Sequence, residues 1–354
     1  MPRPTLIDYL NYYAFRGASG LLNILPFRLS SFIVRQFTAG FYRTPPWVPI
    51  LGRAATRLRD RIRSNIESCF SELSPSELEE LTRQAVDHFF QLILEFLCFT
   101  SRLNRDNWQT FIKGGNVAES EEILFSDQPS ILVTGHNGNW EVLGYYIAMR
   151  DVNISVVARP LNNPLINNWV IRQREISGLG VISKFGATNS AMEAIETIET
   201  NRGGPAIAFV ADQDAGPKGL FVPYFGRLAS TYKSIGLLAM HHEVPVICGI
   251  GIRTGLLRFR VEVQDIIYPK DWQAETDPLY YITARYVRAI EQMVRREPAQ
   301  YLWTHRRWKS RPKFEQQGKP MPASLAEKIQ SLPWMDQQQF DALEASPEDV
   351  VYAR

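Results

Sequence analysis

The residues best suited to chemistry lie in one stretch, residues 130–144, SILVTGHNGNWEVLG. A short apolar run over 131–134 reads as a buried strand, and the pattern from Trp140 onward reads as a helix that Asn139 is placed to cap. Between them sits a small polar turn, and turns at strand ends are where rigid scaffolds hold reactive groups accessible. His136 and Glu141 have four residues between them. In the first helical turn, Glu141 is expected to face back toward His136. A carboxylate on one imidazole nitrogen fixes the tautomer and frees the other nitrogen as a base. The expectation is a His136–Glu141 dyad, with Gly138–Trp140 backbone N–H groups or Arg159 as donors to an oxyanion. A histidine at a strand end is, taken alone, more often a structural residue, so the rest of the chain has to carry the reading.

Three further blocks hold reactive side chains. Arg159 follows an apolar run and precedes a Pro-fixed turn, ARPLNNP, where its rigid fork suits a phosphate or carbonyl oxygen. Asp212-Gln213-Asp214 follows another apolar run and leads into FVPYFGRLAST. Two carboxylates at alternate positions suit Mg²⁺ or the orientation of arginines; organising the site is the reading adopted, with no metal assigned. No phosphate-binding glycine-lysine loop stands nearby. Phe221, Tyr224 and Phe225 suit either core packing or the apolar wall of an acyl pocket. Ser230 and Thr231 are expected to cap a helix running to His242, and a helix start binds anions. Residues 301–309, YLWTHRRWK, interleave cations with tryptophans, as a membrane-interface strip or, far less fittingly, a nucleic-acid surface would.

The elements that position these blocks alternate. Strands are expected over 131–134, 154–158, 181–184, 206–211, 244–252 and 259–264. Helices are expected over 140–149, 164–177, 189–201, 230–242 and 277–297. This is the pattern of an α/β fold with a mixed, largely parallel central sheet flanked by helices, its last two strands forming an antiparallel edge hairpin. Helices over 57–70 and 76–99 lead in, the second opening on Ser74-Pro75-Ser76-Glu77. Upstream, Leu6, Leu10, Tyr13, Gly17, Leu21 and Ile24 repeat at helical spacing, and a second segment sets Phe32, Ile33, Phe37 and Phe41 among arginines. These are expected to be amphipathic helices that lie on a membrane, since no uncharged apolar run is long enough to span one and no secretory leader pattern is present. Three units are expected: 1–56 membrane-associating helices, 57–312 the α/β domain with its helical lead-in 57–128, and a loosely structured tail 313–354.

Composition adds a charge map. The chain is 45% hydrophobic and 21% charged, which is ordinary for a folded protein. The net charge of +2 conceals ten arginines against two acidic residues in 1–63, and twelve acidic against four basic side chains in 64–130. A basic end beside apolar segments points to an anionic membrane surface. Cys69, Cys98 and Cys248 are far apart and form no metal-like spacing, which fits a reducing compartment.

HNGNWE, ARPLNNP, DQD…FVPYFGRLAST and WTHRRWK together resemble, in order, the blocks of the bacterial lipid A late acyltransferases, which are related to glycerolipid acyltransferases with a His-x4-Asp/Glu motif. The resemblance covers about residues 57–312. It implies transfer of a fatty acyl group from an acyl thioester, acyl-acyl carrier protein or else acyl-CoA, to a hydroxyl of a membrane glycolipid, at the cytoplasmic face of the inner membrane, with no cofactor. It implies His136 and Glu141 as catalytic residues, and Asn139, Arg159, Asp212, Asp214, Arg227, Ser230 and Arg306 as substrate-binding ones. A different acceptor, or a metal-dependent hydrolase on His136, Glu141, Asp212 and Asp214, are the alternatives.

Overall fold

A computed structural model describes residues 3–126, 128–183 and 205–345. Four helices open the chain: α1 (Leu6–Ile24), α2 (Phe27–Arg43), α3 (Leu51–Glu67) and α4 (Pro75–Arg102). Ser74 caps α4 in a reciprocal box with Glu77, and Pro75 sits in the first turn, where its missing N–H costs nothing. Two short helices, α5 (Trp108–Phe111) and α6 (Ala118–Leu124), flank the short strand β1 (Ile112–Gly114), which the sequence pattern did not suggest.

The α/β part then alternates as expected. It runs β2 (Ser130–Thr134), α7 (Trp140–Ala148), β3 (Ile154–Ala158), α8 (Pro164–Ile176), β4 (Gly180–Ser183) and β5 (Ala206–Val210). After a small hairpin, β6 (Leu220–Tyr224) and β7 (Arg227–Thr231), come a helix Ser234–His242, the long pair β8 (Val246–Gly255) and β9 (Arg258–Ile267), and the helix Pro278–Arg296. The seven-stranded sheet has the order β1-β9-β8-β2-β5-β3-β4. All its neighbours pair parallel except β8 with β9, the expected antiparallel hairpin, which does not form the edge because β1 pairs parallel outside β9. The helix expected over 189–201 lies outside the described residues.

Each face of the sheet carries its own core because successive strand side chains point to opposite faces. Ile131 and Val133 pack with Ile207, Val246, Ile250 and the buried stripe of helix Pro278–Arg296. Leu132, between them, packs with Ile247, α7 and Leu94, Cys98 and Phe99 of α4. β2 is buried at all five positions, which is why it reads as a continuous apolar run.

Two expectations about the later chain give way. Ser230 and Thr231 do not cap a helix. They end β7, and the helix begins at Ser234 with no side-chain cap. The reason is the turn Phe225-Gly226, both at positive φ (50° and 67°), a two-residue hairpin connection that pairs 220–224 with 227–231. Residues 313–345, expected to be loose except for a helical turn at Phe340–Leu343, are ordered: helices over Lys313–Gln316, Ala323–Gln330 and Gln337–Ala345 place Ile329, Leu332, Phe340 and Leu343 in the main core.

Candidate active site

The carboxylate on His136 is Asp212. β2 and β5 run parallel with Thr134 opposite Val210, so two residues further along each strand His136 and Asp212 leave the sheet side by side. The His136 backbone N–H donates to Asp212 Oδ2 at 2.8 Å, and the ring Nδ1 lies 2.6 Å from Oδ1. Nδ1 therefore carries the proton and Nε2 is left as an acceptor. Asp212 is 1% exposed. Burial on its own would raise its pKa; the charge of His136, the hydrogen bond from its ring, the charge of His305 and the His136 backbone N–H outweigh burial and hold it well below the usual carboxylate range.

Glu141 goes elsewhere. As expected, Asn139 caps α7, its Oδ1 accepting from the Val142 N–H at 3.1 Å. Glu141 is the second residue of that helix and its flank faces α8, not the turn. There Arg174 holds both carboxylate oxygens, at 2.5 and 3.1 Å. The expected Glu141–His136 contact is thus replaced by a Glu141–Arg174 pair. Sequence spacing alone could not choose between the two carboxylates, because the strand register that delivers Asp212 spans 76 residues.

The turn itself is built around glycine. Gly138 sits at φ +59°, and a Cβ there would come 2.2 Å from the Gly251 carbonyl oxygen, so both sterics and φ demand glycine. Its N–H donates to the Gln300 carbonyl and that of Asn139 to the Gly251 carbonyl, each at 2.7 Å. Two of the three backbone donors expected to face an oxyanion are consequently occupied. Asn139 is fully buried and its Nδ2 donates to Glu95 Oε2 at 2.8 Å. Arg253 grips both oxygens of Glu95, at 2.5 and 2.7 Å, and its Nη1 lies 2.7 Å from His88 Nδ1. Gln300 exchanges two hydrogen bonds with the Arg253 backbone. Asn139 is therefore a brace of the turn, and Glu95, Arg253, Gln300 and His88 are site residues that sequence reading missed. The visible signal was a charge, Glu95, lying within the apolar stripe of α4.

The other wall comes from residues 301–310. The Leu302 N–H donates to the His136 carbonyl at 2.8 Å. Asn65 of α3 donates to the carbonyls of Trp303 (2.6 Å) and His305 (3.0 Å). The His305 ring lies 4.5 Å from that of His136, and Trp140 flanks His136 at 4.7 Å. Gln213 Nε2 is 3.4 Å from His305 Nε2. Burial, then the charge of His136, lowers the His305 pKa to about 4, against an opposing pull from Asp212, so this imidazole is neutral at ordinary pH. Asp214 accepts from Ser310 N–H and Oγ and from Gly216 N–H. Arg307 binds the Gln213 and Ser230 carbonyls and Thr231 Oγ1. Arg227 binds Ser68 and lies 3.7 Å over Trp308. Ser230 donates to the Gly216 carbonyl. Asp214, Arg227 and Ser230 thus clamp the two loops together, while Arg306 is exposed. Asp212 and Asp214 bond to different partners, and no three His, Cys, Asp or Glu side chains converge as metal ligands among the described residues.

Beside His136 opens a cavity of about 610 Å³. Its walls are largely apolar, with Leu132, Val156 and Ala208 from the sheet and Leu143, Ile147 and Ile171 from α7 and α8. His136, Gln213 and the Glu141–Arg174 pair also line it, and Arg159 stands exposed in its lining with Leu161 and Asn162. A cleft of this size has room for a flexible apolar chain, with His136 in its wall.

Comparison with known proteins agrees with the chemistry of this cavity. The chain is 23% identical to the lipid A biosynthesis lauroyltransferase of Escherichia coli (strain K12), over 74% of its own length and 84% of that protein. It is 23% identical to lipid A biosynthesis acyltransferase 2 of Shigella flexneri, over 76% and 82%. With the lipid A biosynthesis acyltransferase of Haemophilus influenzae (strain ATCC 51907 / DSM 11121 / KW20 / Rd) it shares 21%, over 80% and 82%. The family model for bacterial lipid A biosynthesis acyltransferases matches residues 6–310, nearly every element described above, and the chain belongs to that family of acyltransferases.

Proposed function

We propose that this acyltransferase moves a fatty acyl group from an acyl thioester, carried by acyl carrier protein in preference to coenzyme A, to a hydroxyl of a lipid A-type glycolipid. The observation that carries the reading is the His136–Asp212 pair, with His136 in the wall of the largely apolar cavity. Its support for the acceptor is the family and the relatives' names.

The acyl chain lies in the cavity with its thioester carbonyl beside His136. Nε2 of His136 takes the proton of the acceptor hydroxyl as that oxygen bonds to the carbonyl carbon. The tetrahedral intermediate collapses, the carbon–sulfur bond breaks, and the thiolate receives the proton from the imidazolium. Asp212 fixes the tautomer and balances the imidazolium charge; general-base catalysis of this kind contributes about 10²–10⁴-fold. Glu141 acts through Arg174, fixing the cavity wall between α7 and α8. Arg159 and Arg306, both exposed, are available to acceptor phosphates or to an acidic carrier.

The acceptor reaches the site from a bilayer. No helix among the described residues is long and apolar enough to cross a membrane. α1 and α2 nevertheless expose Leu6, Ile7, Leu10, Tyr13, Ile24, Phe32 and Phe37, next to the arginines of the N-terminal region. Asn163, next in the chain to the cavity residues 159–162, donates to the Asp8 carbonyl of α1, so the start of α1 lies beside that loop. These exposed faces support membrane contact; the cytoplasmic face of the inner membrane is inferred from the resemblance to the lipid A acyltransferases.

Mass spectrometry of total lipid from cells expressing the wild type or His136→Ala tests the proposal. A glycolipid that gains one acyl mass only with intact His136 is expected; equal gain with the variant would sink it.

A further inference from the structure

The backbone donors around His136 are largely spoken for: its own N–H goes to Asp212, that of Gly138 to Gln300 and that of Asn139 to Gly251. An acyl transfer through a tetrahedral intermediate still needs a donor aimed at the carbonyl oxygen. Gln213 directly follows Asp212, lines the cavity with His136, and is half-buried. Its amide has two N–H groups, and one of them is directed at His305 Nε2, 3.4 Å away. An amide nitrogen only donates, so this contact sets the proton of neutral His305 on Nδ1 and leaves Nε2 as acceptor; His305 is itself fixed against the His136 ring and held through its carbonyl by Asn65. The contact with His305 therefore sets the plane of the Gln213 amide and leaves its second N–H for the cavity.

We propose that Gln213 is a catalytic residue that donates a hydrogen bond to the thioester carbonyl oxygen as it becomes an oxyanion, with His305 as the positioning residue that holds the amide. The inference rests on the acyl-transfer reading above. As the acceptor oxygen bonds to the carbonyl carbon, the π pair moves onto the carbonyl oxygen and the Gln213 N–H stabilises it; when the pair returns, the thiolate departs. Gln213 exchanges no proton.

The test is steady-state acyl transfer from acyl-acyl carrier protein to a lipid A precursor in mixed micelles by the full chain and four variants. Gln213→Met keeps the shape and removes the donor; it is expected to lower kcat about 10²–10³-fold with KM for the donor within about threefold, an unmoved pH profile and an unchanged melting temperature. His305→Asn, which frees the amide, is expected to fall between the two. Trp140→Phe removes the indole N–H beside His136 and is expected to lower kcat less than Gln213→Met does. A Gln213→Met enzyme with kcat within threefold of wild type overturns the proposal, as does a loss confined to KM, a shifted acid limb, or a kcat loss in Trp140→Phe that Gln213→Met lacks. His136→Ala separates the two readings: full activity there removes the acyl-transfer mechanism itself, whereas an inactive His136→Ala beside a normal Gln213→Met removes only the role of Gln213.

Discussion

At the scale of single residues, the two carboxylates near His136 have separable consequences. Asp212→Asn keeps the shape but turns an acceptor toward a donor against Nδ1, so the proton is driven to Nε2 and the base is lost. The expected result is a fall in kcat of about 10²–10⁴-fold, with KM little changed. Glu141→Gln instead weakens a largely buried ion pair with Arg174. Breaking such a pair costs about 3–5 kcal/mol when one charge is left uncompensated. Its expected signature is a lower melting temperature and a raised KM for the acyl donor, with kcat the least affected quantity. If Glu141→Gln lost kcat as deeply as Asp212→Asn while keeping its melting temperature, the assignment of the orienting carboxylate would be reversed. His136 itself was legible from the strand–turn–helix pattern around it. Its partner was not, because proximity in the sequence competes poorly with register in a parallel sheet.

At the scale of elements, most of the α/β core could be read from the chain. β2, β3 and β5 are apolar runs bounded by turn residues, and the helix starts at Ser74, Asn139 and Asn163 all carry a capping side chain. What could not be read had a physical reason. The β6–β7 hairpin turns on Phe225 at φ 50°, an unfavoured conformation for an aromatic residue, which its N–H bond to Glu291 helps hold. The brace under the catalytic turn joins α4, β8 and residue 300, elements far apart in the chain. That brace makes a sharp prediction. Glu95→Ala leaves the largely buried Arg253 without its carboxylate and removes the partner of the Asn139 amide. The expected loss is about 3–5 kcal/mol, read as a lower denaturant midpoint. Gly138→Ala is expected to fail more completely, since its Cβ has no room beside Gly251.

At the scale of the whole molecule, charge state and surface decide stability and docking. The buried imidazoles tie stability to pH. Burial, then the charge of Arg253, pushes His88 well below its ordinary value, against a contact with the Gly138 backbone that acts the other way, and His305 falls to about 4. Both bind protons more weakly folded than unfolded, so below about 6.5 the unfolded chain takes up protons that the folded chain refuses. Their contribution is complete above that pH and is lost as pH falls from about 6.5 toward about 4. Denaturant midpoints across this window are expected to fall, and His305→Asn to flatten the slope; a wild-type midpoint independent of pH there would contradict the neutral assignment. In the proposed reading, α1 and α2 carry the membrane docking. Their inward side is committed: Phe15 meets Trp169 of α8 at 5.0 Å, and Ser31 bonds the buried Gln91 of α4. Deleting residues 1–45 would uncover the α4 core, so loss of binding after deletion would not separate docking from folding. Replacing only the outward Leu6, Leu10, Ile24 and Phe32 with glutamine spares the contacts of Phe15 with Trp169 and of Phe37 with Phe90. With vesicles containing anionic phospholipid, the wild type is expected to co-sediment, more weakly as salt screens its arginines, and the fourfold variant to remain in solution at an unchanged melting temperature. Retained sedimentation of that variant would place the membrane contact on another face, and the route by which the acceptor meets His136 would have to be redrawn from there.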